Sequence, residues 1–215
     1  KKQLCKSPGF KVELPKANTE KTEDLDPEQL RALLDVIEAD PLNPAGPMMK
    51  LALFTGMRRG EMFKLQWPDV DFEKGFIHIR DPKGGKDQTI PLNRETRELL
   101  ETTPRTDSPY VFPGRGGRQR VDIKRPANRI KAAAGIPKDF RALHGLRHVY
   151  ASMLASSGKV DMFTLQKLLT HKSPMMTQRY AHLRDESLKR ASDLAGEIVS
   201  GIVSKKESEV IPLRK

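Results

Sequence analysis

The apolar positions along the chain recur mostly at helical spacing. Residues 30–37 place leucines and an isoleucine on one face of a helix, which Asp26 can cap and Pro27 can start, with Gln29 completing a capping box. Similar patterns predict further helices over residues 48–54, 58–65, 122–134, 144–157, 161–170, 174–181 and 187–203.

Strand-like alternation is convincing in one region. Phe76, Ile77 and Ile79 predict one strand and residues 88–92 a second, joined through a Gly-rich turn over residues 81–87. Residues 110–112 are a candidate third strand. The sequence therefore predicts a fold that is mainly α with a small antiparallel β-sheet (α+β).

The same patterns divide the chain into three segments. Residues 1–23 are rich in Lys and Glu and lack apolar periodicity, which predicts a linker or extended arm. Residues 24–186 predict the folded domain, and residues 187–215 a C-terminal helix and tail. No apolar run approaches the roughly 18 residues that a membrane-spanning helix needs. Cys5 is the single cysteine, so we expect no disulfide framework, no thiolate metal site and a reducing, cytoplasmic setting.

The positive charge is concentrated in two segments. Residues 113–131 and residues 141–184 each contain seven Lys or Arg against one Asp, whereas the whole chain has a formal charge of +11. The two segments together carry +12, so the remainder sums to −1. Charge distributed in this way predicts a surface that faces a polyanion, with nucleic acid the leading candidate and an ordinary solvated face the alternative.

Several short motifs carry side chains suited to anion chemistry. Arg58 lies near a predicted helix start with Glu61 three residues on, which indicates either a helix-terminal ion pair or an anion site. His144 and Arg147 share a helical face and can touch one ligand. Lys83 taken alone is typical of a solvated lysine at a hairpin tip.

Together with Tyr180, these side chains meet the needs of phosphodiester chemistry. Paired arginines neutralise a pentacoordinate phosphate, and Tyr180 offers an oxygen nucleophile. His144, His171 and Lys83 can move protons. The sequence places no carboxylate cluster of the magnesium-binding kind near these positions, so we expect a route without metal or other cofactor. His148 has no metal-ligand spacing around it and is assigned no role.

The order and spacing of these motifs resemble the tyrosine recombinase (phage integrase) family. The similarity covers about residues 25–186 and implies an integrase catalytic-domain-like fold for residues 24–186. It also implies that the arm, residues 1–23, connects to an N-terminal DNA-binding domain. The matching motifs are TGxRxxE at residues 55–61, a hairpin lysine eight residues before Pro91, HxxR at residues 144–147, LxHxS at residues 169–173, and Tyr180.

The resemblance implies the roles of the polar side chains. Arg58 and Arg147 would clamp the scissile phosphate, and Tyr180 would attack it to give a 3′-phosphotyrosine. Lys83 would protonate the departing 5′-oxygen, and the family spacing in the hairpin favours it over Lys86.

The two motif histidines and one departure complete the expected site. By resemblance, His144 would assist with the proton of the nucleophile, His171 would hydrogen-bond a non-bridging oxygen, and Glu61 would orient Arg58. Thr170 stands where the family usually has glycine. A β-branched residue resists positive φ, which puts the family's turn in doubt at this position.

The expected partner is a double-stranded DNA recombination site. By resemblance, the protein would act as a homo-tetramer on DNA near the nucleoid, with a monomer as the alternative in isolation. Residues 188–202 carry an apolar stripe at helical spacing, which either packs onto the same domain or docks into a neighbouring protomer.

Three other functions stay open from sequence alone. A type IB topoisomerase shares Arg/Lys/His/Tyr chemistry, but the TGMRRGE and HGLRH segments favour a recombinase. A non-catalytic DNA-binding regulator on the same scaffold would form no covalent DNA adduct. A protein-interaction module would show no salt-dependent DNA affinity.

Overall fold

The computed structural model describes residues 23–80 and 87–207, apart from the side chains of residues 185–187 and 201–207. Within these ranges the chain forms nine α-helices and three short strands. In chain order they are α1 Pro27–Ala39, α2 Gly46–Thr55, α3 Arg59–Lys64, β1 Val70–Asp71, β2 Phe76–Ile79, β3 Gln88–Pro91, α4 Arg94–Thr102, α5 Lys124–Ala133, α6 Ala142–Ser156, α7 Met162–Leu168, α8 Met175–Gln178 and α9 Asp185–Glu207. The mainly helical prediction is confirmed.

The first two helices begin and end for reasons visible in the sequence. The Asp26 carboxylate accepts a hydrogen bond from the Gln29 amide at 2.8 Å, and the Gln29 side chain accepts one from the Asp26 amide at 3.1 Å. This is the predicted capping box, with Pro27 in the first turn. Helix α2 ends at Gly56, whose φ is 66°, and a Cβ there would lie 2.6 Å from the Tyr150 ring. Glycine is therefore required where the chain turns towards α3.

The sheet is antiparallel in the order β1–β2–β3. Its buried side pairs Val70 with Ile77 and Ile77 with Ile90. The candidate third strand at residues 110–112 is wrong, because Val70–Asp71 occupies that place. The 110–112 segment pairs instead with the chain before β1, through a bridge between Tyr110 and Gln66.

One helix was not predicted from the sequence. Helix α4, RETRELLET, buries only Thr96 and Leu100, so it offers little apolar periodicity. Its signal was the N-cap, because the Asn93 side chain accepts a hydrogen bond from the Thr96 amide at 2.9 Å.

The core has two clusters, and the second one holds the tyrosine. The larger cluster centres on α2, whose Met48, Met49 and Leu51 are fully buried, and α2 packs against α6. The smaller cluster places Tyr180 against buried apolar residues of α6 and of the α7 region: Ala151, Ala155, Leu165 and Leu169. Helix α6 therefore packs against both α2 and α7.

Most of the first basic segment lies on the surface, but one lysine does not. Arg115, Arg118, Lys124 and Arg125 are exposed. Lys131 is buried, and its Nζ donates to the carbonyl oxygen of Lys138 at 3.0 Å and to that of Phe140. It therefore stabilises the loop before α6 and adds little to the surface charge.

The C-terminal helix presents its apolar stripe to solvent. Leu188, Leu194, Ile198 and Val199 are each more than half exposed, and α9 contacts the short 3₁₀ turn Ala181–Arg184 that precedes it. These four side chains do not pack onto their own domain. In the part of the chain that the structure describes, none of the helices is long and apolar enough to cross a bilayer.

Candidate active site

Arg58 is held by three protein oxygens at the start of α3. Its Nη1 donates to Glu61 Oε1 at 2.8 Å and to Thr170 Oγ1 at 2.6 Å, and its Nη2 donates to the Thr170 carbonyl oxygen at 3.1 Å. Glu61 also accepts from the Arg58 amide at 2.8 Å, so the predicted pair closes the first turn of the helix. The contacts fix the guanidinium plane, since two of them come from one residue.

Arg147 lies deeper, in the middle of α6. Its side chain donates to the carbonyl oxygens of Gly56 and Leu169, and the residue is only 4% exposed. Burial, and after it the charge of Arg58, lowers the pKa of Arg147 to about 10. Bringing two cations together in a desolvated place costs stability, which is typical of a site built for an anion.

The turn Leu169–Thr170 carries both arginines. The Leu169 carbonyl oxygen accepts from Arg147, and both oxygens of Thr170 accept from Arg58. Among the described residues, Thr170 is the non-glycine residue with positive φ, at 50°. The turn is therefore left-handed although residue 170 is a threonine, and the contacts with Arg58 stabilise a conformation that a β-branched residue disfavours.

His171 follows this turn and is oriented by α8. Its Nδ1 lies 2.8 Å from Thr177 Oγ1, and its backbone N–H donates to the Gln166 carbonyl oxygen at 3.0 Å. Burial, followed by the charges of Arg147 and Arg58, lowers the pKa of His171 to about 3. The ring is therefore neutral at physiological pH.

The Tyr180 hydroxyl lies against the other end of the HGLRH segment. Tyr180 is 2% exposed, and its oxygen lies 2.6 Å from Nδ1 of His148. The Nε2 of His148 lies 3.0 Å from Nε2 of His144, which is exposed. Burial raises the pKa of Tyr180, although the charges of Arg179 and Arg147 oppose this.

His148 is the residue that the sequence analysis missed. The expected partner of the tyrosine was His144, but His148 lies between them. The sequence did carry a signal for His148, because His144, Arg147 and His148 stand at helical spacing and share one face of α6. Metal-ligand spacing is no guide to a histidine that hydrogen-bonds a tyrosine.

A cleft of about 760 Å³ separates the sheet from α7. Thr170 and His171 line one side, and His78 and Gln88 of the hairpin line the other. Lys83 and Lys86 fall at residues 81–86, outside the described residues. The residues that flank this segment, Arg80 and Asp87, both line the cleft. Within the described ranges, His, Cys, Asp and Glu side chains form no group of three that could hold a metal ion.

Comparison with known proteins decides the family. The family model described as "Phage integrase family" matches residues 23–187, more than half of the chain. The chain belongs to the phage integrase family. The match includes all six residues expected to act in catalysis.

Two proteins similar to this chain are tyrosine recombinases. The chain is 32% identical over 200 residues to tyrosine recombinase XerA of Pyrococcus furiosus. The aligned region covers 90% of this chain and 66% of the relative. It is 32% identical over 203 residues to tyrosine recombinase XerD of Vibrio vulnificus, covering 87% and 63% respectively. The chain thus spans just under two thirds of the length of these relatives.

Solved structures share the fold. The crystal structure of XerA recombinase is 25% identical, with a TM-score of 0.65 over 85% of this chain and 66% of that chain. The Tn1549 transposon integrase in complex with circular intermediate DNA has a TM-score of 0.70 at 20% identity, over 83% of this chain and 68% of that one. The catalytic-domain-like fold predicted from the sequence is confirmed.

Proposed function

We propose that this chain is the catalytic part of a site-specific DNA recombinase, which cleaves and rejoins strands through a 3′-phosphotyrosine without metal or ATP. The observation that carries the proposal is the turn Leu169–Thr170, on which Arg58 and Arg147 converge beside the Tyr180 cluster. Two guanidiniums and one tyrosine hydroxyl are the groups that attack on a phosphodiester requires. The named relatives are recombinases and do not favour the topoisomerase alternative.

In this mechanism the arginines bind the scissile phosphate. The described contacts use three of the five N–H groups of Arg58, which leaves an edge of the guanidinium for phosphate oxygens. Charge that develops on the phosphate is stabilised by a preorganised cation pair, and electrostatic stabilisation of this kind is usually the largest single contribution to enzymatic catalysis. His171, neutral and fixed through Nδ1 by Thr177, donates from Nε2 to a non-bridging oxygen.

The leaving 5′-oxygen needs a proton, and we assign its delivery to Lys83. The assignment rests on the family spacing to Pro91, with Lys86 as the competing residue. It is supported by the described ends of the hairpin, Arg80 and Asp87, which line the same cleft as His171. A general acid at this place contributes roughly 10²–10⁴-fold.

The partner in this proposal is a double-stranded recombination site. Solved relatives include XerH bound to a palindromic difH substrate, and the exposed basic residues of 113–131 supply positive charge for phosphate contacts here. The exposed stripe of α9 supports assembly into a tetramer on DNA through neighbouring protomers. A protein that acts on chromosomal or mobile DNA would lie in the cytoplasm at the nucleoid. We further assign residues 24–186 to the catalytic domain, 1–23 to a connector and 187–215 to the docking helix and tail.

Covalent capture tests the proposal. A nicked duplex is selected from a randomised library by its covalent retention on the 215-residue chain, with EDTA present throughout. We expect a DNA–protein adduct on the 3′ side of the cleaved bond. Tyr180→Phe removes the adduct while DNA affinity stays within about twofold, whereas the matched control Tyr150→Phe retains it. An adduct formed by Tyr180→Phe, or none by the unmutated chain, overturns the assignment.

A further inference from the structure

A line of three hydrogen-bonding groups leads from the buried nucleophile to the surface. Tyr180 Oη, His148 Nδ1 and Nε2, and His144 Nε2 are joined by contacts of 2.6 and 3.0 Å. Tyr180 and His148 are 2% and 3% exposed, whereas His144 is exposed. The rings of His148 and His144 meet edge-on, with an interplanar angle of 87°. His148 therefore separates the tyrosine from water and from the histidine of the HxxR motif.

Two assignments of the ring hydrogens satisfy both contacts, and one of them lets the tyrosine give its proton to a histidine. In that assignment the tyrosine hydroxyl donates to Nδ1 of His148, so the neutral His148 ring carries its hydrogen on Nε2. That Nε2–H donates to His144 Nε2, which leaves the His144 hydrogen on Nδ1. Both rings are then neutral and aligned to pass a proton outward.

His148 is placed to transmit the proton and is unsuited to keep it. Burial, followed by the neighbouring His144, lowers the pKa of His148 to about 4, so a lasting charge on this ring is unfavourable at neutral pH. Because His144 is exposed, its imidazolium can be hydrated. His144 is therefore the ring from which the proton reaches water, although burial, followed by the charge of Arg141, lowers the pKa of His144 below its usual value.

We propose that His148 and His144 form a two-ring proton relay for Tyr180, in which His148 takes the hydroxyl proton and His144 receives the proton that His148 releases. The idea rests on the proposed function. As the Tyr180 oxygen bonds to phosphorus, its O–H bond breaks and Nδ1 of His148 gains that proton. The Nε2–H bond of His148 breaks in turn, and His144 becomes imidazolium. The P–O5′ bond breaks at the same time, with its own proton supplied from a separate acid, and rejoining reverses each transfer.

The relay is tested by a double-mutant cycle on His148→Asn and His144→Asn. Asn retains donor and acceptor groups but does not take up a proton at neutral pH. The substrate is the library-selected nicked duplex with sulfur in place of the bridging 5′-oxygen, so that the leaving group needs no proton and only the nucleophile's proton limits the rate. Single-turnover adduct formation is followed in the 215-residue chain. His182→Asn, at an exposed position, is the matched control.

In each single variant the rate of adduct formation is expected to fall by about 100-fold or more. In the double variant it is expected to fall no further than in the slower single variant. If the rate reductions of the two single variants multiply in the double variant, the two rings act independently. If His148→Asn forms the adduct at an unchanged rate, His148 takes no part in the reaction. Either result overturns the relay. If thermal melting shows that His148→Asn is poorly folded, His148→Gln replaces it in the cycle. A chain that forms no adduct at all contradicts the proposed function, whereas multiplicative losses contradict only the relay.

Discussion

The hydroxyl of Thr170 is expected to position Arg58, while the positive φ of Thr170 strains the backbone. Three substitutions separate the hydrogen bond from the strain. Thr170→Val keeps the shape and the β-branch but removes the acceptor 2.6 Å from Nη1 of Arg58. A hydrogen bond to a charged group contributes about 1.5–3 kcal/mol, and water reaches part of the Arg58 side chain, which is 27% exposed. The lower end, about 1.5 kcal/mol, is therefore the expected loss in free energy of unfolding.

Thr170→Gly removes the same hydrogen bond but also releases the strain of a non-glycine residue at φ 50°. That strain amounts to roughly 1–2 kcal/mol, so the free energy of unfolding should change little. Thr170→Ser keeps the hydroxyl and should match the unmutated protein in stability and activity. Single-turnover cleavage should nevertheless slow by about tenfold in both Val and Gly variants, since about 1.4 kcal/mol corresponds to one factor of ten in rate.

Denaturant unfolding and adduct formation measured on the same four proteins give the result. The distinguishing outcome is the Gly variant, in which stability is retained and cleavage is slowed by about tenfold. If Thr170→Val is as stable and as fast as the unmutated chain, the hydroxyl of Thr170 does not position Arg58.

Three further predictions follow from other parts of the molecule. Lys83→Ala should cleave ordinary DNA about 10²–10⁴-fold more slowly but cleave the 5′-thio substrate at close to the unmutated rate, whereas Lys86→Ala should show neither effect. If Lys83→Ala slows cleavage of both substrates equally, Lys83 positions the substrate and does not supply the proton. Lys131→Met should lower the free energy of unfolding by about 1–3 kcal/mol, because the buried carbonyl oxygen of Phe140 and the partly buried one of Lys138 lose their donor; an unchanged denaturation midpoint would contradict this. DNA affinity should fall steeply with salt in a titration series, and a flat response would exclude the basic residues of 113–131 from the interface.

Sequence patterns correctly predicted the contacts between residues that are close together along the chain. The Asp26 capping box and the Arg58–Glu61 pair each join residues three positions apart, and both formed as the sequence indicates. The positive φ of Thr170 violates a local preference, and it is stabilised by Arg58, 112 positions earlier in the chain. No local pattern encodes such a contact.

In the candidate active site, too, the sequence predicted candidate residues but not their long-range contacts. The motifs named the arginines, and the structure brings them to one turn. The pairing of Tyr180 with His148 spans 32 positions and depends on how α6 packs against the tyrosine cluster, whereas the family resemblance paired the tyrosine with His144. Helix α4 was missed because its stability depends on two buried residues and a cap.

The most direct test of the account is to locate the covalent bond. The trapped adduct is digested with nuclease and trypsin, and the modified peptide is identified by mass spectrometry. Tryptic cleavage after Arg179 and Arg184 isolates residues 180–184, which contain one of the three tyrosines of the chain. We predict that this peptide carries the nucleotide remnant on Tyr180, joined through the 3′-phosphate. A remnant on Tyr110, on Tyr150 or on any other side chain would contradict the central claim.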